Sequence, residues 1–221
     1  MAENEFFREV EEEYRRDQLA NIWKRYSGLF VALALVVVAA VGGWRYWQYQ
    51  ERTRAEAASA RYEDALRLSR DGKSDEAEKA LEAAAKDAPD GYRLLTRFRL
   101  AAELGGDNAE DAAKAYDALA ADASVPGTWQ DLARLRAAYL RIDGDPTAVR
   151  PALERLAAPT NPWRHSAREL LGLSGLKAGD YDVASRWFDQ IAADRETPQG
   201  LRQRLEIYTA VVAGGPVQTT Q

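Results

Sequence analysis

The side chains that enzymes use most for covalent and metal chemistry are nearly absent from this sequence. It contains no cysteine and a single histidine, His165. One chain therefore cannot form a cysteine nucleophile, a disulfide or a histidine-based metal cluster. The pair Gly105-Gly106 lies where a turn between helices is expected and does not form a phosphate-binding loop. We expect no enzyme activity, no metal and no cofactor.

Carboxylates are plentiful, with 35 Asp and Glu against 30 Lys and Arg and a net charge of −5. Their spacing along the chain is typical of solvated helix faces. An acidic chain without a basic patch between aromatic residues is a poor nucleic-acid binder, and we expect no small-molecule substrate. A catalytic carboxylate pair assembled by folding is the alternative that the sequence leaves open.

Side chains suited to protein binding are easier to find than catalytic ones. Tryptophan and arginine are enriched at protein–protein contacts. Rings at helical spacing can equally belong to the core, as is possible for Trp187, and surface arginines can simply be solvated. The residues predicted to form the binding surface are Arg93, Arg97, Trp129, Arg136 and Trp163.

Repeated pairs of helices are predicted to position these side chains. Turn glycines recur at intervals of roughly 35 residues, at Gly72, Gly106, Gly144 and Gly179. After each glycine a helix is predicted whose apolar residues fall at offsets 0, 4 and 7, one helical face. Asp145-Pro146 is predicted to begin the third of these helices. The four apolar sets are Ala77-Leu81-Ala84, Ala112-Tyr116-Leu119, Val149-Leu153-Leu156 and Ala184-Phe188-Ile191, and prolines 89, 126, 159 and 198 follow them.

This period and two-helix unit resemble tetratricopeptide repeats. The likeness is strongest in HSARELLGLSGLKAGDYDVASRWF, where Leu171-Gly172, Ala184 and Phe188 match the positions that pack the two helices. The other units are degenerate, and Arg99 replaces a small residue if the second unit is aligned on Gly106. We expect an all-α solenoid of about four helix pairs over residues 48–213, with a capping helix at 201–212 and a concave binding surface.

The stretch KRYSGLFVALALVVVAAVGGWRYW predicts one transmembrane helix, over residues 26–47. Its uncharged core between Arg25 and Arg45 is long enough to cross the hydrocarbon layer at ~1.5 Å per residue. Aromatic residues flank both ends, as in membrane-interface belts. A cleaved signal peptide ending near Val38-Ala39-Ala40 is the alternative. The long, partly acidic N-terminal region argues against it.

The remaining segments complete the predicted organisation. Residues 1–25 have the spacing of an amphipathic helix on the inner membrane surface, and a solvated charged tail is the alternative. Residues 48–68 contain no proline or glycine, so the span can continue into the first helix of the repeat domain. Residues 214–221 are predicted to be a flexible tail. Lys24 and Arg25 weakly favour a cytoplasmic N-terminus and an exported C-terminal domain.

The tail FFREVEEEYRRDQLANIWKRY, the span ending GGWRYWQYQ and the degenerate repeats together resemble the YfgM-like family, in its alphaproteobacterial form. Membership would imply a single-pass protein of the bacterial inner (plasma) membrane with a periplasmic repeat domain. It would also imply an ancillary subunit of the SecYEG translocon and a chaperone-type adaptor. The expected partners are that translocon, a PpiD-like isomerase, translocating clients and membrane lipid.

Small residues of the span give this function a candidate contact. Gly28, Ala32, Ala39 and Gly43 fall within about 60° on one helix face at ~100° per residue. Such a small-residue seam allows close helix packing in lipid. The alternatives to a translocon subunit are a membrane-tethered scaffold for another envelope or cell-division assembly and a translocon-independent holdase.

Overall fold

The computed structural model of the chain is helical throughout the part that it describes. It describes the backbone of residues 2–106 and 108–215 and the side chains of residues 23–106 and 108–215. No strand occurs among these residues, so the all-α prediction is confirmed. The helices are α1 Ala2–Arg70, α2 Ser74–Asp87, α3 Asp90–Leu104, α4 Ala109–Ala121, α5 Gly127–Arg141, α6 Arg150–Leu156, α7 Arg164–Lys177, α8 Tyr181–Ala193 and α9 Gln199–Gly214.

The chain divides into two compact units, Met1–Glu56 and Ala57–Gln221. Helix α1 provides the first unit and gives its last turns, up to Arg70, to the second. Its backbone is helical through residues 48–68, as the absence of proline and glycine predicted. The amphipathic face predicted for residues 1–25 lies mostly outside the described side chains, and the predicted tail is described only at Gly214 and Gly215.

The first unit exposes its apolar side chains. One described helix is long and apolar enough to cross a membrane, and its most apolar 18-residue window has a mean hydropathy of 2.2 and no buried residue. Trp23 and Tyr26 on one side, and Trp44 and Trp47 on the other, are exposed rings at the ends of this stretch. Among the described side chains of this unit, from residue 23 onward, none of this window is buried, which fits a span.

The second unit is a row of helix pairs. We call α3, α5, α7 and α9 the A helices and α2, α4, α6 and α8 the B helices. Each helix from α2 to α9 contacts the next, and α5 also contacts α7. All twelve apolar positions predicted for the B helices are buried, which confirms the repeat pattern. The last turns of α1 join this unit through buried Ala58 and Ala65, and α9 caps it as predicted.

The last pair packs most closely. The absent Cβ of Gly172 would lie 2.2 Å from the ring of Phe188, and that of Gly175 would lie 2.8 Å from the backbone nitrogen of Ala184. Real side-chain carbons essentially never approach so closely, so a side chain at Gly172 would displace the ring of Phe188 and one at Gly175 would displace the backbone of α8. The Leu-Gly pair predicted from the repeat motif therefore has a steric role.

Two details of the predicted repeats are wrong. Helix α6 begins at Arg150, because Asp145 accepts bonds from the backbone of Thr147 and Ala148 and closes a turn there. The second of the four predicted repeats is also displaced by one residue from the alignment on Gly106. Counted from the start of its helix, Phe98 takes the position of Gly172, and its ring lies 5.8 Å from that of Tyr116.

Arg99 has a different role from the one its predicted position suggested. Its Nη2 donates to Ser69 at 2.6 Å and to Glu103 at 2.8 Å. Its Nε is buried and finds no hydrogen-bond partner among the described residues. The contact between the end of α1 and α3 is therefore polar where the family pattern would place small residues.

Candidate protein-binding surface

A groove of about 840 Å³ lies between the first turns of α3 and α5. We call it the first groove. It brings together three of the predicted binding residues, Arg93, Arg97 and Trp129. Its lining is mostly apolar, and Leu95 is 43% exposed there. An apolar side chain of a bound protein would lose contact with water in this groove, which favours binding.

A second groove, of about 480 Å³, is lined by α5, α7 and α9. It contains the other two predicted residues, Arg136 and Trp163, together with the 59%-exposed ring of Tyr139. Glu169 of α7 also lines it, where both carboxylate oxygens accept from Arg204 of α9. The five residues predicted from sequence thus fall into two neighbouring grooves.

One face of α5 connects the two grooves. Trp129, Leu132, Arg136 and Tyr139 are three or four residues apart and share one helical face. Trp129 lines the first groove and the other three line the second. We call these four residues the α5 ridge. A polypeptide that crosses this ridge would touch both grooves.

The three predicted arginines differ in how they are held. Arg97 donates to Asp122 at 2.6 Å, and Arg93 donates to the backbone carbonyl of Ala88. No described side chain forms a hydrogen bond or ion pair with Arg136, which is exposed. Arg136 is therefore the arginine of this set best placed to pair with a carboxylate of a bound protein.

The three tryptophans also differ. Trp129 is 36% exposed and its ring lies edge-on, 5.3 Å from that of Phe98. Trp163 packs on the core and donates from Nε1 to the carbonyl of Thr128 at 2.9 Å. Trp187 packs on the same core cluster and lines neither groove. Trp129 is consequently the most accessible to a partner of these three tryptophans.

A side-chain hydrogen bond recurs at the start of three A helices and was not predicted from the sequence. We call this bond the joint. Each of these helices has a proline N-cap, which offers no side-chain cap. The side chain four residues after the proline instead donates to the carbonyl immediately before it. A proline followed by a polar donor at this spacing is the signal that could have revealed the joint. The donors and acceptors are Arg93 with Ala88, Gln130 with Val125, and Arg202 with Thr197.

A carboxylate closes the turn after α4. Oδ1 of Asp122 accepts from the hydroxyl of Ser124 at 2.7 Å and from its backbone N–H at 2.9 Å. Oδ2 accepts from Arg97. The hydroxyl of Ser124, and then the guanidinium of Arg97, lower the pKa of this carboxyl to about 2. Arg97 therefore fastens α3 to this turn in addition to lining the first groove.

Asp194 closes the corresponding turn after α8. It accepts from Arg164 at 3.0 Å, from Arg168 at 3.2 Å and from the backbone N–H of Glu196 at 3.0 Å. Arg164, and then the N–H of Glu196, lower the pKa of Asp194 to about 2. The lone histidine lies beside this cluster, where burial and then Arg164 lower the pKa of His165. His165 is therefore held among structural contacts.

Replacing Asp194 by asparagine should reduce the acid sensitivity of folding. The folded pKa of about 2 lies below an unfolded value of about 3.9, so the carboxylate stabilises the fold above pH 4. That stability disappears as pH falls from about 4 to 2. In urea unfolding followed by circular dichroism, the deficit of Asp194→Asn relative to the native chain should shrink over this range.

The control for this comparison is Asp71→Asn, which alters an exposed carboxylate without a side-chain partner among the described residues. Its difference from the native chain should stay constant with pH. A deficit of Asp194→Asn that is the same at pH 7 and pH 2.5 would contradict the role given to this carboxylate.

Comparison with known proteins agrees with the repeat architecture. A family model described as a tetratricopeptide repeat-like domain matches residues 21–208. No curated protein and no solved structure matches the chain. The match includes the apolar stretch of α1 as well as the helix pairs, and such domains serve in protein–protein interaction. The chain belongs to the tetratricopeptide repeat-like domain family.

Proposed function

We propose that the protein is a single-pass inner-membrane adaptor that serves as an ancillary subunit of the SecYEG translocon. Its N-terminus is cytoplasmic and its repeat domain lies in the periplasm, beside a PpiD-like isomerase. The observation that carries the proposal is one exposed apolar helix in the same chain as a repeat domain with two grooves. The resemblance of the tail and span to the YfgM-like family supports this choice of complex.

The small-residue seam supports a contact within the membrane. Gly28, Ala32, Ala39 and Gly43 are all exposed, and a Cβ added at Gly28 or Gly43 would meet nothing within 4 Å. In lipid, apolar burial does not drive helices together, and close backbone approach between small residues does. The seam is therefore the face of α1 that docks on a translocon or PpiD-like helix.

The grooves support binding of emerging clients. A client segment that has just left the channel exposes apolar side chains, which the first groove can cover next to Leu95 and Trp129. Arg136 can pair with a client carboxylate, which favours client segments that carry an acidic residue. This arrangement suits transient binding of many sequences better than catalysis.

Substituting Ala32 and Ala39 together by leucine should reduce co-purification with SecYEG from mild detergent at least tenfold. The added side chains would hold the helices apart and remove the close packing of the seam. The matched control replaces Val37 and Val41, which lie roughly opposite the seam at ~100° per residue, by leucine. Equal recovery of SecY with both double variants would contradict the proposal.

In-membrane photocrosslinking separates the proposal from its alternatives. A photoreactive residue at Ala32 should yield adducts to SecY, SecE, SecG or the isomerase, and one at Leu95 should yield adducts to translocating clients. Adducts from Leu95 alone would indicate a translocon-independent holdase. Adducts from Ala32 only to other envelope proteins would indicate a scaffold, and loss of the span from the mature chain would indicate a cleaved leader.

A further inference from the structure

The outer face of α9 is apolar and uncovered by any described residue. Ile207 is 64% exposed, Val211 is 49% exposed, and Ala210 is exposed between them. End units of repeat arrays normally present a polar outer face, because a free apolar face lowers solubility. The face formed by Ile207, Ala210 and Val211, the α9 face, therefore has the chemistry of a contact surface.

The corresponding face of each earlier A helix is covered by its B helix. Counted from the N-cap residue, the ninth and twelfth residues of the A helices form equivalent pairs on one face. The twelfth residue is small in every case, which allows close helix approach. The pairs are Phe98 and Ala101, Leu135 and Ala138, Gly172 and Gly175, and Ile207 and Ala210.

In each earlier pair, the ninth residue of the A helix lies against the central apolar residue of the B helix. Phe98 lies against Tyr116, with 5.8 Å between ring centroids. The absent Cβ of Gly172 would be 2.2 Å from Phe188. In the third unit, Leu135 is buried in one cluster with Leu153. Every A helix before α9 thus packs this position against its own B helix, with Leu135 and Gly172 buried and Phe98 partly buried.

We propose that the α9 face binds an amphipathic helix of a partner protein, which packs on it as a further B helix. Leu135 and Ala138 are the pair most similar in size to Ile207 and Ala210, and their cluster contains Leu153 at the central B position. The partner helix therefore carries alanine or valine, as the B helices do, then leucine four residues on, then an apolar residue three further on. This docking is independent of which membrane complex the protein serves.

Charge at the edge of the face specifies the partner further. Arg204 is paired with Glu169, whereas the exposed carboxylate of Glu206 has no ion-pair partner among the described residues. A lysine or arginine on the flank of the partner helix would pair with Glu206, although an exposed pair adds only about 0–1 kcal/mol. Apolar contact at the α9 face carries the affinity.

The test uses a labelled peptide with the sequence of α2, Ser74–Asp87, whose apolar residues Ala77, Leu81 and Ala84 have the required pattern. A lactam bridge on its polar face holds it helical, because an isolated helix of this length is marginal in water. Fluorescence anisotropy is measured with the full chain in lipid nanodiscs. Binding should weaken at least tenfold when Leu81 of the peptide is replaced by aspartate.

Ala210→Leu in the protein should also weaken peptide binding at least tenfold, because it fills the small position. Ala118→Leu, at an exposed alanine of α4, is the matched control and should not change binding. Both changes are at exposed positions, so the urea unfolding midpoints should match that of the native chain. Peptide binding should slow amide hydrogen exchange in α9 at least tenfold.

Three results would overturn the proposal. The first is an absence of saturable peptide binding, or equal binding to the native chain and Ala210→Leu. The second is a dimer in sedimentation that Ala210→Leu dissociates, which would assign the α9 face to a second copy of the chain. The third is a tenfold gain in peptide binding when residues 216–221 are deleted, which would assign the face to that segment.

Discussion

Replacing Phe188 by alanine should lower the free energy of unfolding of the repeat domain by about 3–5 kcal/mol, the range for a buried phenylalanine. The side chain is fully buried and its ring is stacked on that of Tyr208, 5.1 Å away. It also fills the space that Gly172 leaves open in α7. One ring therefore joins α7, α8 and α9, and its removal leaves a cavity between all three.

Urea unfolding of the full chain in nanodiscs, followed by circular dichroism, measures this effect. The control is Tyr139→Ala, which removes a ring that is 59% exposed and should change stability by less than about 0.5–1 kcal/mol. A loss below about 1.5 kcal/mol for Phe188→Ala would mean that the neighbouring helices collapse into the cavity.

Gly175→Ala should destabilise the same pair of helices by roughly 2 kcal/mol. In an open helix this change would stabilise by up to about 1 kcal/mol, because alanine is the better helix former. Here the added Cβ would lie 2.8 Å from the nitrogen of Ala184 and 3.0 Å from the carbonyl oxygen of Asp180. Both neighbours are backbone atoms, so the helices must separate, and overpacking of this kind costs about 1–3 kcal/mol or more.

The matched control is Gly91→Ala in α3, where an added Cβ meets nothing within 4 Å. It should be neutral or slightly stabilising. If Gly→Ala lowers the free energy of unfolding at Gly175 but not at Gly91, steric contact at Gly175 decides the outcome. A stabilising effect of Gly175→Ala would mean that α7 and α8 are farther apart than described.

The local rules of the repeat made most of the fold predictable. Turn glycines and the offsets 0, 4 and 7 depend only on residues close in sequence, so the B helices and their buried positions follow from the chain alone. The start of α6 did not follow. The hydrogen bonds that Asp145 accepts are the same in a helix N-cap and in a closed turn. Only the backbone path of residues 146–149 distinguishes the two structures.

The candidate surface was predictable in its residue types and less so in their roles. Arg93 and Arg97 look like solvent-facing arginines in sequence, yet Arg93 bonds the carbonyl before Pro89 and Arg97 bonds the turn that follows α4. Trp187 has the same helical spacing as Trp129 but packs into the core. Such distinctions depend on how neighbouring pairs stack, and a single helical face does not encode that.

The joint between successive pairs bears on how such a chain can lengthen by duplication. Arg93 reaches the carbonyl that precedes Pro89, and Gln130 reaches the one that precedes Pro126. If residues 89–125 were copied in tandem, Arg93 of the copy would meet the carbonyl of Val125, as Gln130 does now. A duplicated helix pair would thus already carry the side chain that donates this hydrogen bond. Growth by whole units requires no further change at the junction, because the bond joins residues five apart in sequence, whereas an insertion between the carbonyl and its donor would lose it.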